Sequence, residues 1–474
     1  MYVTIPIDFR YSYIQKRYKI EPIEWYLMEK TYQIQKLDIT NYPIESEKTI
    51  LFWTDPEYLD VTTKANSDYL TWDDFRKKDW TSKDREQKWW AVKLKRLTSN
   101  KPTSIKDKDG QYYKIDPSRH AQFLHEVTLE LGGNMLGITS FTEGDKKQII
   151  RRNLIEESIA SSKLEGANTS RETARRMLRE GRSPRDRSEK MIQNNHSTML
   201  WIEEVGQYQK LSKEILLEVH RKVVSGTLGT PALEGSLRET LNANGKRLVI
   251  KPWDQFTIAY TAPDREFVKM QLPRFIAFAN DEDGSAFIHP LIKAIMLHFW
   301  LGLLHPFEDG NGRLARILFY WYMLRHGYWA FSYLSLSERI LKSPSEYAMS
   351  FINTEQDDYD LNYFVQYNIE KLKLARLHML AYLKSKIKEN KKLISVVETG
   401  HNLNTRQLRL LQYLHLGEST HVNVVEHHNV NPEIGYVSAV TDLKSLVEKN
   451  FLRKVKNGRN VIYLPTDKVQ TLFR

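Results

Sequence analysis

The chain has 474 residues, a length that as a prior suggests about three domains. Hydrophobic residues make up 41% and aromatics 11%, enough to bury real cores, and the formal net charge of +11 favours anionic partners such as nucleotides, nucleic acid or acidic protein surfaces without choosing among them. The absence of cysteine excludes disulfides, thiolate nucleophiles and Cys-based zinc sites together, and suits a reducing compartment.

The N-terminus, MYVTIPIDFRYSYIQKRYKI, is too polar for the apolar region of a signal peptide. Residues 1–115 are expected to form an α/β extension of unassigned role, rich in Tyr, Trp and charge, with no chemical motif. Trp72, Trp80, Trp89 and Trp90 are expected as core anchors, because large aromatics are usually mostly buried. Asn100–His120 has the turn residues of a loop or hairpin. Residues 116–395 read as a mainly helical domain. KKQIIRRNLIEESIASSKLEG places Ile149, Ile150, Leu154, Ile155 and Ile159 on a helical repeat that Gly166 stops. RSPRDRSEKMIQNNHSTMLWIEEV and KLSKEILLEVHRKVV predict two more helices. RLVI and FTIAY, punctuated by Asn244-Gly245 and Pro252, predict an inserted β-hairpin. Two strong helices follow, around Leu291–Leu304 and Gly312–His326, and then a helical tail to about residue 395. The apolar stretch at Ile292–Leu304 is shorter than the roughly 18–20 residues of a membrane span and contains Lys293 and His298, so a soluble cytoplasmic protein is expected. Residues 398–405 suit a linker. Residues 400–474 read as three helices and two strands around Asn457-Gly458, a pattern that resembles a winged helix-turn-helix.

The chemistry is concentrated in HPFEDGNGRLAR, His305–Arg316. DGNG must turn sharply between two helices. The first-turn N–H groups of the second helix lack internal partners and carry partial positive charge, so they form an anion site. Gly310 and Gly312 let the backbone approach a phosphate. Arg313 and Arg316 lie on one helical face and can fork further phosphate oxygens. The Asp309 carboxylate can hold Mg²⁺ bridging phosphates, His305 can accept a proton near neutral pH, and Phe307 is expected to turn into the core and lock the loop. Taken singly, each of these is an ordinary turn, helix-end histidine or solvated arginine. Jointly they meet every specified position of H-x-F-x-[D/E]-G-N-G-R-x-x-R, the signature of the Fic (Fido-fold) family of nucleotidyltransferases, which this chain resembles over about residues 120–380. SSKLEG, Ser161–Gly166, is similar to the family's inhibitory-helix motif [S/T]-x-x-x-E-[G/N], here placed upstream of the signature at the end of a helix.

The resemblance implies a helical Fic core with a hairpin flap, and an enzyme that transfers AMP from ATP to a Ser, Thr or Tyr hydroxyl of a target protein. His305 would take the hydroxyl proton and Asp309 would bind Mg²⁺. Gly310, Asn311 and Gly312 would hold the α- and β-phosphates with help from Arg313, and Arg316 would hold the γ-phosphate. Glu165, with Ser161 and Gly166 in its motif, would pair with Arg316 and displace the γ-phosphate; the bland alternative is a surface salt bridge of little worth. In relatives the same glutamate can orient a water that removes AMP. Val249 and Ile250 are the candidates for flap residues over the nucleotide, and Tyr347 for the aromatic beside adenine. His298 is expected as a packed core residue. The family also brings homodimers and, through the tail, DNA as candidate partners. Residues 391–474 hold 12 Lys/Arg against 7 Asp/Glu, with the basic part in the wing RKVKNGR, but NPEIGYVSAVTDL lacks the side chains that usually read base edges. A nucleotide-sensing, DNA-binding regulator controlled by the Fic core is therefore the rival reading. Another donor, a different nucleotide or phosphocholine, is the alternative to ATP within the enzyme class.

Overall fold

The computed structural model describes residues 31–37, 52–133, 141, 143–241, 245–250, 257–397, 403–415, 417, 419–457 and 460–473. Asn244, Pro252, Gly458 and residues 398–402 of the expected linker lie outside them.

The first elements are helices α1 (Pro56–Ser67), α2 (Trp72–Phe75) and α3 (Arg85–Ser99), followed by the antiparallel pair β1 (Lys101–Lys106) and β2 (Tyr112–Ile115). Asp55 and Thr71 cap α1 and α2 with their side-chain oxygens. Trp72, Trp80 and Trp89 gather around Phe75, and Trp90 packs on Phe52, so the tryptophans anchor small cores as expected. Buried Lys93 reaches Asp357 and Asp358, which ties this segment to the helical body.

Next come α4 (Ala121–Val127), α5 (Glu143–Leu164), α6 (Arg171–Glu180), α7 (Arg187–Glu204) and α8 (Lys213–Val224). Ser170, Asp186 and Ser212 cap the last three, each accepting from a backbone N–H in the first turn. Ile149, Leu154, Ile155 and Ile159 of α5 are buried, as their spacing required, and Ile150 packs at the margin of the core. The hairpin is a minimal ladder, with β3 (Val249–Ile250) pairing antiparallel to β4 (Tyr260–Thr261). After α9 (Arg265–Ala279), helices α10 (Pro290–Leu304) and α11 (Asn311–Arg325) run through the main core. Both are buried nearly all round, which is why their sequences are apolar on every face rather than on one stripe. Helices α12 (Leu336–Ile340), α13 (Pro344–Gln356) and α14 (Asn362–Val397) complete the body.

The tail comprises α15 (Thr405–His415), α16 (Val424–Val430), α17 (Tyr436–Glu448), the antiparallel strands β5 (Leu452–Asn457) and β6 (Asn460–Pro465), and a closing helix α18 (Asp467–Leu472) that the sequence reading did not foresee. Leu410, Leu411, Leu443, Leu446, Phe451 and Val469 form its own core. The architecture is thus mainly helical, with three two-stranded antiparallel sheets among the described residues. No helix among the described residues is long and apolar enough to cross a membrane.

Candidate active site

Helix α10 ends at His305, whose φ of +43° lies in the left-handed region that a residue with a Cβ adopts only under constraint. The constraint is Arg238. Its Nε donates to the His305 carbonyl at 2.6 Å, its Nη2 to the Pro263 carbonyl at 2.6 Å, and its backbone N–H to the Pro306 carbonyl at 3.0 Å. Sequence reasoning passed over Arg238, because an arginine in GSLRETLN reads as solvated; only the fold buries it. The His305 Nδ1 faces the Gly302 carbonyl at 3.3 Å, so the assigned proton sits on Nδ1 and Nε2 is left as the acceptor. Burial pushes the imidazole pKa down to about 4, which keeps the ring neutral near pH 7.

The loop beyond His305 is held from behind. Phe307 is fully buried and stacks on His220 of α8, with ring centroids 3.7 Å apart and an 8° interplanar angle. His220 accepts the Gly235 N–H on Nδ1 at 3.0 Å, so its Nε2–H donates to the Asp309 carbonyl at 2.9 Å. His220 is therefore a positioning residue for the loop. Nothing in LLEVHRKVV marks it, since its partners lie 15 and 89 positions away.

Asn311 corrects an expectation. Its side-chain Oδ1 accepts from the Phe307 N–H at 3.0 Å and its Nδ2 donates to the Phe307 carbonyl at 2.8 Å. The amide closes the loop on itself, so only the backbone of Asn311 remains for an anion. Gly310 has φ +86°, and a Cβ there would stand 2.6 Å from Val224 Cγ1. Gly310→Ala is expected to destabilise the fold by about 1–3 kcal/mol, through the left-handed backbone and the overlap. Urea unfolding checks this, and an unchanged midpoint would contradict it.

The two arginines of the motif are not a solvated face. Arg313 is fully buried; its Nη1 donates to the Val223 carbonyl at 3.1 Å and its Nη2 stands 3.5 Å from Asp309 Oδ1, while Nε and Nη2 have no hydrogen-bond partner. Donors without hydrogen bonds, buried beside the first turn of α11, are what an anion would satisfy. Asp309 accepts its neighbour Gly310 N–H on Oδ1 and pairs through Oδ2 with Arg187 Nη2 at 2.9 Å. No group of three or more His, Asp or Glu residues converges anywhere among the described residues, so a metal here would need ligands from a substrate.

Arg316 is 2% exposed and meets the end of α5. Its Nη2 donates to Glu165 Oε1 at 2.8 Å and to the Ser161 carbonyl at 2.9 Å, and its Nε donates to Ser161 Oγ at 2.9 Å. Gly166, with φ +90°, then turns the chain away. The Glu165 carboxylate lies directly over Gly312, where any Cβ would overlap it. It thus covers the start of α11 at Gly312. Helix α5 is itself held by buried Glu157, which accepts from Tyr320 OH at 2.9 Å, Ser335 Oγ at 3.0 Å, Ser337 N–H at 2.9 Å and the Ser337 hydroxyl.

The remaining candidates lie at the margin. Tyr347 is half-buried among Phe351, Phe364 and Tyr367, and its hydroxyl bonds His298 Nε2 at 2.8 Å. His298 is fully buried, and burial pushes its pKa down to about 3. Val249 and Ile250 are half-buried on the hairpin, which Tyr260 ties to the end of α10 by donating to the Leu303 carbonyl at 3.0 Å. The fold therefore converges His305, Asp309, Gly310, Gly312, Arg313, Arg316, Ser161 and Glu165, while Val249, Ile250 and Tyr347 border that cluster.

Comparison with known proteins gives the same region a family. The Fic/DOC family model matches residues 210–323. "Protein adenylyltransferase fic-1" of Caenorhabditis briggsae is 33% identical over 122 residues, covering 26% of this chain and 21% of its own. "Protein adenylyltransferase Fic" of Culex quinquefasciatus is 33% identical over 113 residues, covering 24% of this chain and 19% of its own. The chain thus spans about a fifth of the length of these curated relatives. Among solved structures, a fragment of Fic-1 from C. elegans aligns with 72% of this chain and 87% of its own, at 19% identity and a TM-score of 0.46. Residues 210–323, which contain the histidine, the glycine turn and both arginines, carry the match to the Fic/DOC family.

Proposed function

We propose that the chain is a self-inhibited protein adenylyltransferase. The observation that carries the reading is a neutral imidazole with a free acceptor nitrogen, beside a buried guanidinium, Arg313, whose Nε and Nη2 make no hydrogen bond. The relatives' printed name, protein adenylyltransferase, supports the same chemistry. In the proposed reaction a Ser, Thr or Tyr oxygen of a target protein attacks the α-phosphorus of ATP. The bond from that phosphorus to the bridging oxygen breaks, pyrophosphate leaves, and the hydroxyl proton passes to His305 Nε2. The backbone N–H groups at the start of α11 and the Arg313 guanidinium hold the phosphate oxygens. Asp309 would hold Mg²⁺, which neutralises phosphate charge when bound; a lone carboxylate fits a cation that keeps waters and shares substrate phosphates.

Glu165 supports the self-inhibited form of the reading. Its carboxylate takes the donors of Arg316 and covers Gly312, where the far phosphates would lie. The half-buried hairpin at Val249 and Ile250 suits a flap along which a target segment adds as a strand. Purified protein incubated with ATP labelled in the α-phosphate tests the core reading: label must appear covalently on protein, and label placed on the γ-phosphate must not.

The pH dependence follows from His305. Burial lowers its pKa to about 4, and the neutral ring is the base. Activity limited by the base is therefore present above about 4 and lost as pH falls through that value. The rate of labelling is expected to stay level between roughly pH 6 and 8. A rise with a midpoint near the ordinary histidine pKa of about 6.5 would show that the ring is not buried when it works.

A further inference from the structure

Residues 31–37 are remote from the hairpin in sequence, yet they lie along it. Thr31 bridges in parallel to Ile258, and the Tyr32 N–H donates to the Ile258 carbonyl at 2.8 Å. The next hairpin residue, Ala259, donates its N–H to the Ile250 carbonyl of β3, also at 2.8 Å. Residues 31–32 thus join the hairpin as a third, outer segment, because neighbouring residues of a strand bond to partners on opposite sides.

A side chain continues the same pattern. Gln356, the last residue of α13, accepts the Ile34 N–H on Oε1 at 2.9 Å and donates Nε2 to the Tyr32 carbonyl at 2.7 Å. One amide therefore makes both the donor and the acceptor bond that a paired strand would make to this segment. The Lys36 ammonium adds a bond to the Gln356 carbonyl at 3.1 Å. The bonds to residues 32 and 34 engage backbone groups alone, so another extended peptide could make them.

The side chains hold the segment less firmly. Thr31, Gln33, Gln35 and Lys36 are exposed, and Tyr32 and Ile34 are only half-buried. On one flank the segment borders a groove of about 710 Å³, toward Trp72 and Met349, rather than packed core.

We propose that the outer edge of the hairpin and the Gln356 amide form a docking site for an extended peptide. Residues 31–36 of the chain itself occupy it at rest, and the acceptor segment of a target protein displaces them. The part played by the target rests on the reading of the hairpin as the flap. A tethered segment competes at an effective concentration on the order of millimolar, so the resident peptide limits access by targets.

A fluorescein-labelled peptide of residues 31–37, TYQIQKL, reads the site on the full chain by fluorescence anisotropy. Tyr32→Pro combined with Ile34→Pro removes both N–H donors of the resident segment. The peptide is expected to bind this variant at least tenfold more tightly than the wild type. Adding Gln356→Ala is expected to weaken that binding at least fivefold. The same peptide with proline at the positions of Tyr32 and Ile34 is the control that lacks the two donors. Equal binding by wild type and variant, no binding to the variant, equal binding of the control peptide, or no effect of Gln356→Ala overturns the docking site. In the Glu165→Gly background, the two proline substitutions are expected to raise AMP transfer onto added lysate proteins at least threefold. Transfer that is measurable but unchanged refutes the competition with targets. Peptide binding with no AMP transfer in any variant leaves the docking site standing and refutes the transferase reading instead.

Discussion

Glu165→Gly is expected to raise AMP transfer roughly 10- to 100-fold over the wild type. Arg316 is buried, and its bond to Glu165 is a charge-assisted one at 2.8 Å. Such bonds contribute about 1.5–3 kcal/mol, and each 1.4 kcal/mol is about tenfold in an equilibrium. On the inhibitory reading, that free energy is withheld from ATP whenever Arg316 is already paired. Removing the carboxylate returns the guanidinium to the phosphate and also uncovers Gly312. The fold should survive, because Arg316 keeps both bonds to Ser161, and Glu165 is one-quarter exposed at the end of its helix. Transfer of label from α-labelled ATP, measured at equal concentrations of the two proteins, reads the effect. A Glu165→Gly protein no more active than the wild type would sink the inhibitory reading.

His305 substitution has the opposite sign and the larger effect. In the Glu165→Gly background, replacing the base is expected to lower transfer by roughly 10²- to 10⁴-fold while ATP still binds, because the cradle is made by other residues. The choice of substitution matters. His305 sits at φ +43°, where alanine is strained but asparagine is tolerated. His305→Asn therefore removes the base with the backbone least disturbed, and His305→Ala serves as the second variant. Equal loss in both points to the missing proton acceptor. Loss in the alanine variant alone would assign the effect to the loop backbone and would falsify the role of base. Equilibrium dialysis with ATP separates the two cases from general unfolding.

Much of the site was legible in the sequence because it is local. Within twelve consecutive positions the chain must end one helix, turn on glycine and start another, so the histidine, the carboxylate, the turn and the arginines come together without knowledge of the rest of the fold. The helical periods of α5, α10 and α11 were legible for a related reason: burial of one face or of all faces leaves its own spacing. The three helices and two strands of the tail could be read from its periods and turns, but not the closing helix α18, whose six residues are too few to show a period.

What sequence order could not contain was decided by packing between distant segments. Asn311 belongs to the motif, yet only the folded loop shows its amide spent on Phe307. His220 and Arg238 carry no local signature, and they hold the Asp309 and His305 carbonyls because α8 and the segment after it pack behind the loop. The tail's hold on α5 and α6 likewise runs through amides and one arginine that look solvated in sequence. The sequence by itself determined which chemical groups stand at the end of α10, since a turn and a helix start are set by neighbouring residues. Only the tertiary structure decided what those groups face. Hydrogen bonds and buried charges are satisfied by whatever the fold brings within about 3 Å, and here that brought Glu165 to Arg316 across 151 positions.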